Sequence, residues 1–97
     1  MNDKTDGQDP SGIQAYVGRE VVLDTKSTYV CVGSLRALEG GFFVLEDADV
    51  HDCSQGRSGK ELYILDAKRV GIVPNRERVL VRESEVVSVS ALEDVSG

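Results

Sequence analysis

Val30-Cys31-Val32-Gly33-Ser34-Leu35-Arg36-Ala37-Leu38-Glu39-Gly40-Gly41-Phe42-Phe43-Val44-Leu45-Glu46-Asp47-Ala48 reads as two strands that reverse at Glu39-Gly40-Gly41, where two glycines accept positive φ. Both strands are apolar on more than one face, which predicts the central pair of a sheet. Gly33 interrupts the first of them without a side chain to pack, the usual mark of a bulge or a sharp bend. A long strand bent at such a point serves both sides of a small barrel.

Working outward, Arg19 to Thr25 predicts a strand before this pair, closed by the polar turn Asp24-Thr25-Lys26-Ser27. The central strands are expected over Thr28–Leu38 and from Phe42 to about Val50, with His51–Gly56 as a polar loop. Ser58-Gly59-Lys60-Glu61 matches a capping box. Tyr63, Ala67 and Val70 follow at helical spacing, Lys68 and Arg69 suit a last helical turn, and Gly71 is a natural stop. These signals predict a helix over 59–70, against a competing strand at Glu61–Leu65. Pro74 marks a connection. Glu77–Arg82 and Glu85–Ser90 complete five strands, separated by Glu83-Ser84. The fold class is therefore all-β: a small, strongly bent five-stranded barrel with one helix inserted between strands three and four.

At 97 residues the chain is one small domain with a thin core and no Trp. Residues 13–92 form that domain. Residues 1–12 read as a mobile acidic tail, and 93–97 as a short acidic one. The net charge of −6 argues against a general nucleic-acid binder. The signs nevertheless separate: 39–52 holds five acids and no Lys or Arg, whereas Lys68, Arg69, Arg76, Arg78 and Arg82 follow within fifteen residues. With no apolar leader and no transmembrane-length run, a cytoplasmic location and no membrane partner are expected.

In order, Tyr16-Val17-Gly18-Arg19-Glu20-Val21, Val32-Gly33-Ser34-Leu35 with Leu38-Glu39, Phe43-Val44-Leu45-Glu46-Asp47-Ala48, and Leu80-Val81-Arg82-Glu83-Ser84-Glu85-Val86-Val87-Ser88-Val89 resemble the lead-in and the two motifs of the Sm-like (LSm) family. The resemblance implies a bent barrel, closed rings built by edge pairing, and RNA as ligand. It fails where the family contacts RNA. The loop Glu39-Gly40-Gly41-Phe42 is one residue short and lacks the family's Asn, and Glu83 stands for its second-motif Gly, though Arg82 is retained. The resemblance therefore implies the shape without the uridine pocket.

Three sets of side chains remain as candidates. Asp49, His51, Asp52 and Cys53 offer carboxylate, imidazole and thiol for a metal or a nucleophile, in no standard ligand spacing and without an oxyanion-hole motif. The bland alternative is a solvated loop. Arg76, Arg78 and Arg82 share one strand face and, with Lys68, Arg69, Glu39 and Phe42, could meet RNA or a protein partner. The alternatives are a charged solvent face, or the acidic 46–52 segment of a second copy. Val79, Leu80, Val81, Val86, Val87 and Val89 make two sticky edge strands. The expectation is a non-enzymatic module without cofactor that forms a closed homo-oligomer such as a ring. A lone SH3-like or PRC-like adaptor is the competing small barrel.

Overall fold

The computed structural model describes residues 12–54 and 59–96. A 3-10 helix, Gly12–Tyr16, leads into β1 (Glu20–Thr25), β2 (Tyr29–Glu39) and β3 (Phe42–Asp52). Helix α1 (Lys60–Val70) follows, then β4 (Arg76–Arg82), a 3-10 turn at Glu83–Glu85, β5 (Val86–Ala91) and a last 3-10 turn at Leu92–Asp94. The five strands make one antiparallel sheet in the order β4-β3-β2-β1-β5. The expected architecture holds, helix insertion included. The reading of 1–12 as a mobile tail lies, up to residue 11, outside the described residues.

Bending originates at Gly33. Val32 pairs with Asp49 and Ser34 with Glu46, so Gly33 alone faces both Asp47 and Ala48. Asp47 takes the left-handed conformation, φ 49°, which a short polar side chain tolerates better than most. A Cβ on Gly33 would stand 2.8 Å from the Ala48 Cβ and 3.1 Å from the Glu46 carbonyl oxygen, so only glycine lets the two strands come this close. A second register shift between Leu35 and Ala37 bends the same pair again.

The bent sheet buries apolar side chains on both faces. Val21, Leu23, Cys31, Leu35, Phe43, Leu45, Ala48 and Val81 fill the inside, with Ile13, Tyr16, Val79, Val86 and Val89 packed around them. On the outside, Val22, Val30 and Val32 pack beneath Ala67 of α1 and Leu92, with Tyr63 and Ile64 at their border. Full burial of each Leu or Val contributes roughly 1.5–3 kcal/mol. Cys31 behaves as the small hydrophobe its setting implied, and burial pushes its thiol pKa up.

Two boundaries differ from the sequence reading. Strand β3 runs on to Asp52, because β2 offers it partners to the end: Val30 opposite His51 and Tyr29 opposite Asp52. His51 and Asp52 therefore belong to a strand, not to a polar loop. The helix begins after Gly59, which makes no side-chain cap, and the Ser58 of the anticipated capping box lies outside the described residues. Gly71 ends the helix as expected, at φ 100°, its N–H donating to the Ala67 carbonyl at 2.8 Å.

Gly33→Ala is expected to cost about 1–3 kcal/mol, because the added methyl overpacks backbone and a buried Ala. A lowered urea midpoint by circular dichroism checks this; an unchanged midpoint would show that the strands can separate freely.

Candidate functional site

The β2–β3 turn and the β4–β5 turn meet at one end of the sheet. Phe42 pairs with Arg82, and the Glu83 N–H donates to the Gly41 carbonyl at 2.8 Å. The Arg82 guanidinium lies 5.5 Å from the Phe42 ring centroid. Glu39 pairs with Phe42 across the hairpin, so Glu39, Phe42 and Arg82 form one rim. Arg78 and Arg76 continue from it along β4, opposite Glu46 and Ala48. Arg78 donates to Glu46 at 2.9 Å, and this bond holds the Glu46 carboxyl below the usual range. Arg76, Arg78, Leu80 and Arg82 are all exposed, the single-face row that alternation predicts.

Lys68 has another task. Its ammonium donates to the backbone carbonyls of Glu93 (3.1 Å) and Val95. Arg19 adds ion pairs to Glu93 at 3.3 Å and Asp94 at 3.8 Å. The short acidic C-terminal segment is thus drawn onto the body through its backbone and both carboxylates. Arg69 is exposed on the last turn of α1.

The edge expectation is refined by orientation. β4 and β5 are the two ends of the strand order. Val81 is buried, and Val79, Val86 and Val89 pack against the inner core. Only Leu80 and Val87 present large apolar side chains outward, 55% and 59% exposed. The edges offer unpaired backbone plus one apolar side chain each, not six sticky ones.

The Asp49–Cys53 group does not assemble as a metal centre. Among the described residues no cluster of three or more His, Cys, Asp or Glu side chains is placed to hold a metal ion. The reason lies in the partners each has taken. Asp49 accepts from the Tyr63 phenol and, at 3.0 Å, from the Asn75 amide. His51 stacks on the Tyr63 ring, centroids 4.1 Å apart and planes parallel to 1°. Asp52 accepts from the Ser54 N–H at 2.9 Å and from Thr28 Oγ1 at 2.8 Å; the Ser54 bond first, then Thr28, keep its carboxyl below the usual range. Cys53 packs at the border of the outer core, where desolvation raises its thiol pKa and so lowers its nucleophilicity at neutral pH.

Asn75 and Tyr63 are the members that sequence reasoning missed. The Asn75 amide donates to the Val50 carbonyl at 3.1 Å and accepts from the Val50 N–H at 3.0 Å, replacing a strand partner beyond the end of β4. The available signal was the Pro74-Asn75 pair just before a strand. Also unforeseen is a groove of about 520 Å³ between α1 and β5, lined by Val22, Asp24, Glu61, Leu62, Ser88 and Ser90 among others.

The fold is shared with solved structures. An Sm protein of Pyrococcus abyssii in complex with a uridine heptamer is similar at 16% identity, over 81% of this chain and 90% of that one, TM-score 0.56. The P. aerophilum Sm protein heptamer is similar at 25% identity over 87% and 88%, TM-score 0.53. A chain of the NatC complex bound to CoA is similar at 17% identity over 90% and 92%, TM-score 0.54. No family model and no curated protein sequence matches the chain. The likenesses define a class, the small, strongly bent five-stranded barrels. Within it, this chain has an Sm-like fold with one helix between β3 and β4.

Burial, and then the bond to Asp49, raise the Tyr63 phenol above its ordinary pKa. The raised folded value favours the neutral phenol, so its stabilisation is complete below about pH 10 and is lost as pH rises beyond it. Tyr63→Phe is expected to cost roughly 1 kcal/mol at neutral pH. It should also flatten the fall in urea midpoint between about pH 8 and about pH 11; equal slopes in the two proteins would contradict the assignment.

Proposed function

We propose that this chain is a non-enzymatic Sm-like assembly module that self-associates by pairing β4 of one copy with β5 of the next. The observation that carries the reading is the open strand order, which leaves both edges with unpaired backbone and one exposed apolar side chain each. An edge pair repeated head to tail is a heterologous contact, which closes into a ring when the rotation per copy allows. Heptamers among similar solved folds support closure. A small protomer also gains apolar burial by associating. Light scattering at micromolar concentration should give a mass several times 10.5 kDa; a monomer overturns the reading. Val87→Lys, at a side chain already mostly exposed, should leave the fold within about 0.5 kcal/mol of wild type while abolishing the assembly.

A second reading, in which the rim of Glu39, Phe42 and Arg82 together with Arg76 and Arg78 takes single-stranded RNA, rests on one observation. An arginine and an aromatic ring lie side by side on two adjoining turns, a pairing suited to a base and its phosphate. The Pyrococcus abyssii protein's uridine heptamer supports it. The net charge of −6 and the lost loop residues oppose it. Filter binding to a pool of single-stranded RNA decides. The reading expects retention at low salt that falls steeply as salt is raised, and no retention at low salt removes it, since phosphate-driven binding is strongest there.

A further inference from the structure

The groove between α1 and β5 sits beside the edge at which the proposed assembly would add a strand. Its floor is the outer face of β1 and β5: Val22 pairs with Ser90, and Asp24 with Ser88. Its wall is the helix, through Glu61, Leu62, Ile64 and Leu65. Leu62 is 48% exposed there, apolar surface that this protomer leaves uncovered.

The direction of the helix is fixed relative to β5. At its start, Lys60 bonds Asp24 Oδ1 at 2.7 Å and the Thr25 carbonyl at 2.9 Å, and these residues pair with Ser88 and Val86 at the beginning of β5. At its end, Lys68 reaches the carbonyls of Glu93 and Val95, beyond the end of β5. Helix α1 therefore runs alongside β5 in the same direction. A strand added antiparallel to β5 also runs antiparallel to α1. If that strand is β4 of a second copy, its Arg82 end lies beside the first turn of α1, and its outward row of Arg82, Leu80 and Arg78 follows the helix wall.

The chemistry of the two surfaces matches in that orientation. The row brings guanidinium, Leu and guanidinium; the groove brings the exposed carboxylate of Glu61 on the first turn of α1, with Leu62 and Leu65 beyond it, while Asp24 is already paired with Lys60. We infer that the groove is a docking site for the outward face of β4 of a second copy, with Arg82 set on Glu61 and Leu80 covering Leu62. The inserted helix thereby becomes a specificity element of the assembly, adding side-chain recognition to an edge that otherwise pairs through backbone alone. This inference rests on the assembly proposed above.

A charge swap tests it. Glu61→Arg and Arg82→Glu are each expected to raise the protein concentration at which assembly is half complete by roughly tenfold, as like charges come to face one another. The double variant restores the pair in inverted form and should return within about threefold of wild type, because coupled sites do not add. Analytical ultracentrifugation reads all four proteins, and circular dichroism melting checks that each protomer is folded. A wild type that assembles while the single variants match it, or while the double variant is as weak as the sum of the singles, overturns the groove and leaves edge pairing standing. A monomeric wild type overturns both.

Discussion

The structure depends on one close approach, that of the β2 backbone at Gly33 to Ala48 on β3. The bulge there sets one residue of β2 against two of β3; β1 runs past it with Val21 opposite Gly33, and β4 pairs with the Phe42–Ala48 part of β3. Before the bulge, β2 carries Val30, Cys31 and Val32, which divide between the outer and inner cores; after it, Leu35 turns inward. Without the bend, an eleven-residue strand would bury one face along its whole length and leave the other in water. With it, one flat apolar hairpin becomes the shared wall of two cores.

The second core explains the helix. The outward Val22, Val30 and Val32 would be an exposed apolar patch on a bare barrel, and α1 covers them with Ala67, the one buried residue on the helix. An alanine at the contact lets the helix lie close over the valines. Lysines at both ends of the helix add to this apolar contact: Lys60 on Asp24 and Thr25, Lys68 on the C-terminal carbonyls. That mode of attachment leaves Leu62 at the solvent side, and it also ties down the last turn of the chain, which lends Leu92 to the same core. The helix, the C-terminal segment and the outer valines pack as a single cluster.

Much of this was legible from local chemistry. Gly33, Gly40-Gly41 and Gly71 mark the bend, the hairpin and the helix stop because each needs a conformation or an approach that a side chain forbids. The alternation of β4 showed its arginine row for the same local reason. What was not legible depends on partners distant in sequence. His51 and Asp52 looked like loop because they are polar, but a strand's extent is set by the neighbour it pairs with, here Tyr29 and Val30. Asp49, His51 and Cys53 looked like a ligand set because they are close in sequence. Whether such groups are free for a metal is decided by Tyr63 and Asn75, fourteen and twenty-six residues away. Lys68 read as one more cation in a basic run, yet its geometry answers to carbonyls past the last strand.

The arginine row then requires a reason of its own. Three arginines on the outer face of an edge strand, in a chain that is acidic overall, are an uneven use of charge. Charged side chains on an edge discourage indiscriminate pairing, since a chance neighbour must strip their water without compensating it. The same residues cease to be an obstacle for a neighbour that brings acids to them in register. An edge guarded in this way admits few partners, and one surface of this protein that carries an acid beside an open edge is the groove under the first turn of α1. On the proposed reading, the arginine row and the groove are two halves of one contact, and the helix between β3 and β4 supplies the carboxylate and the leucine that the row meets.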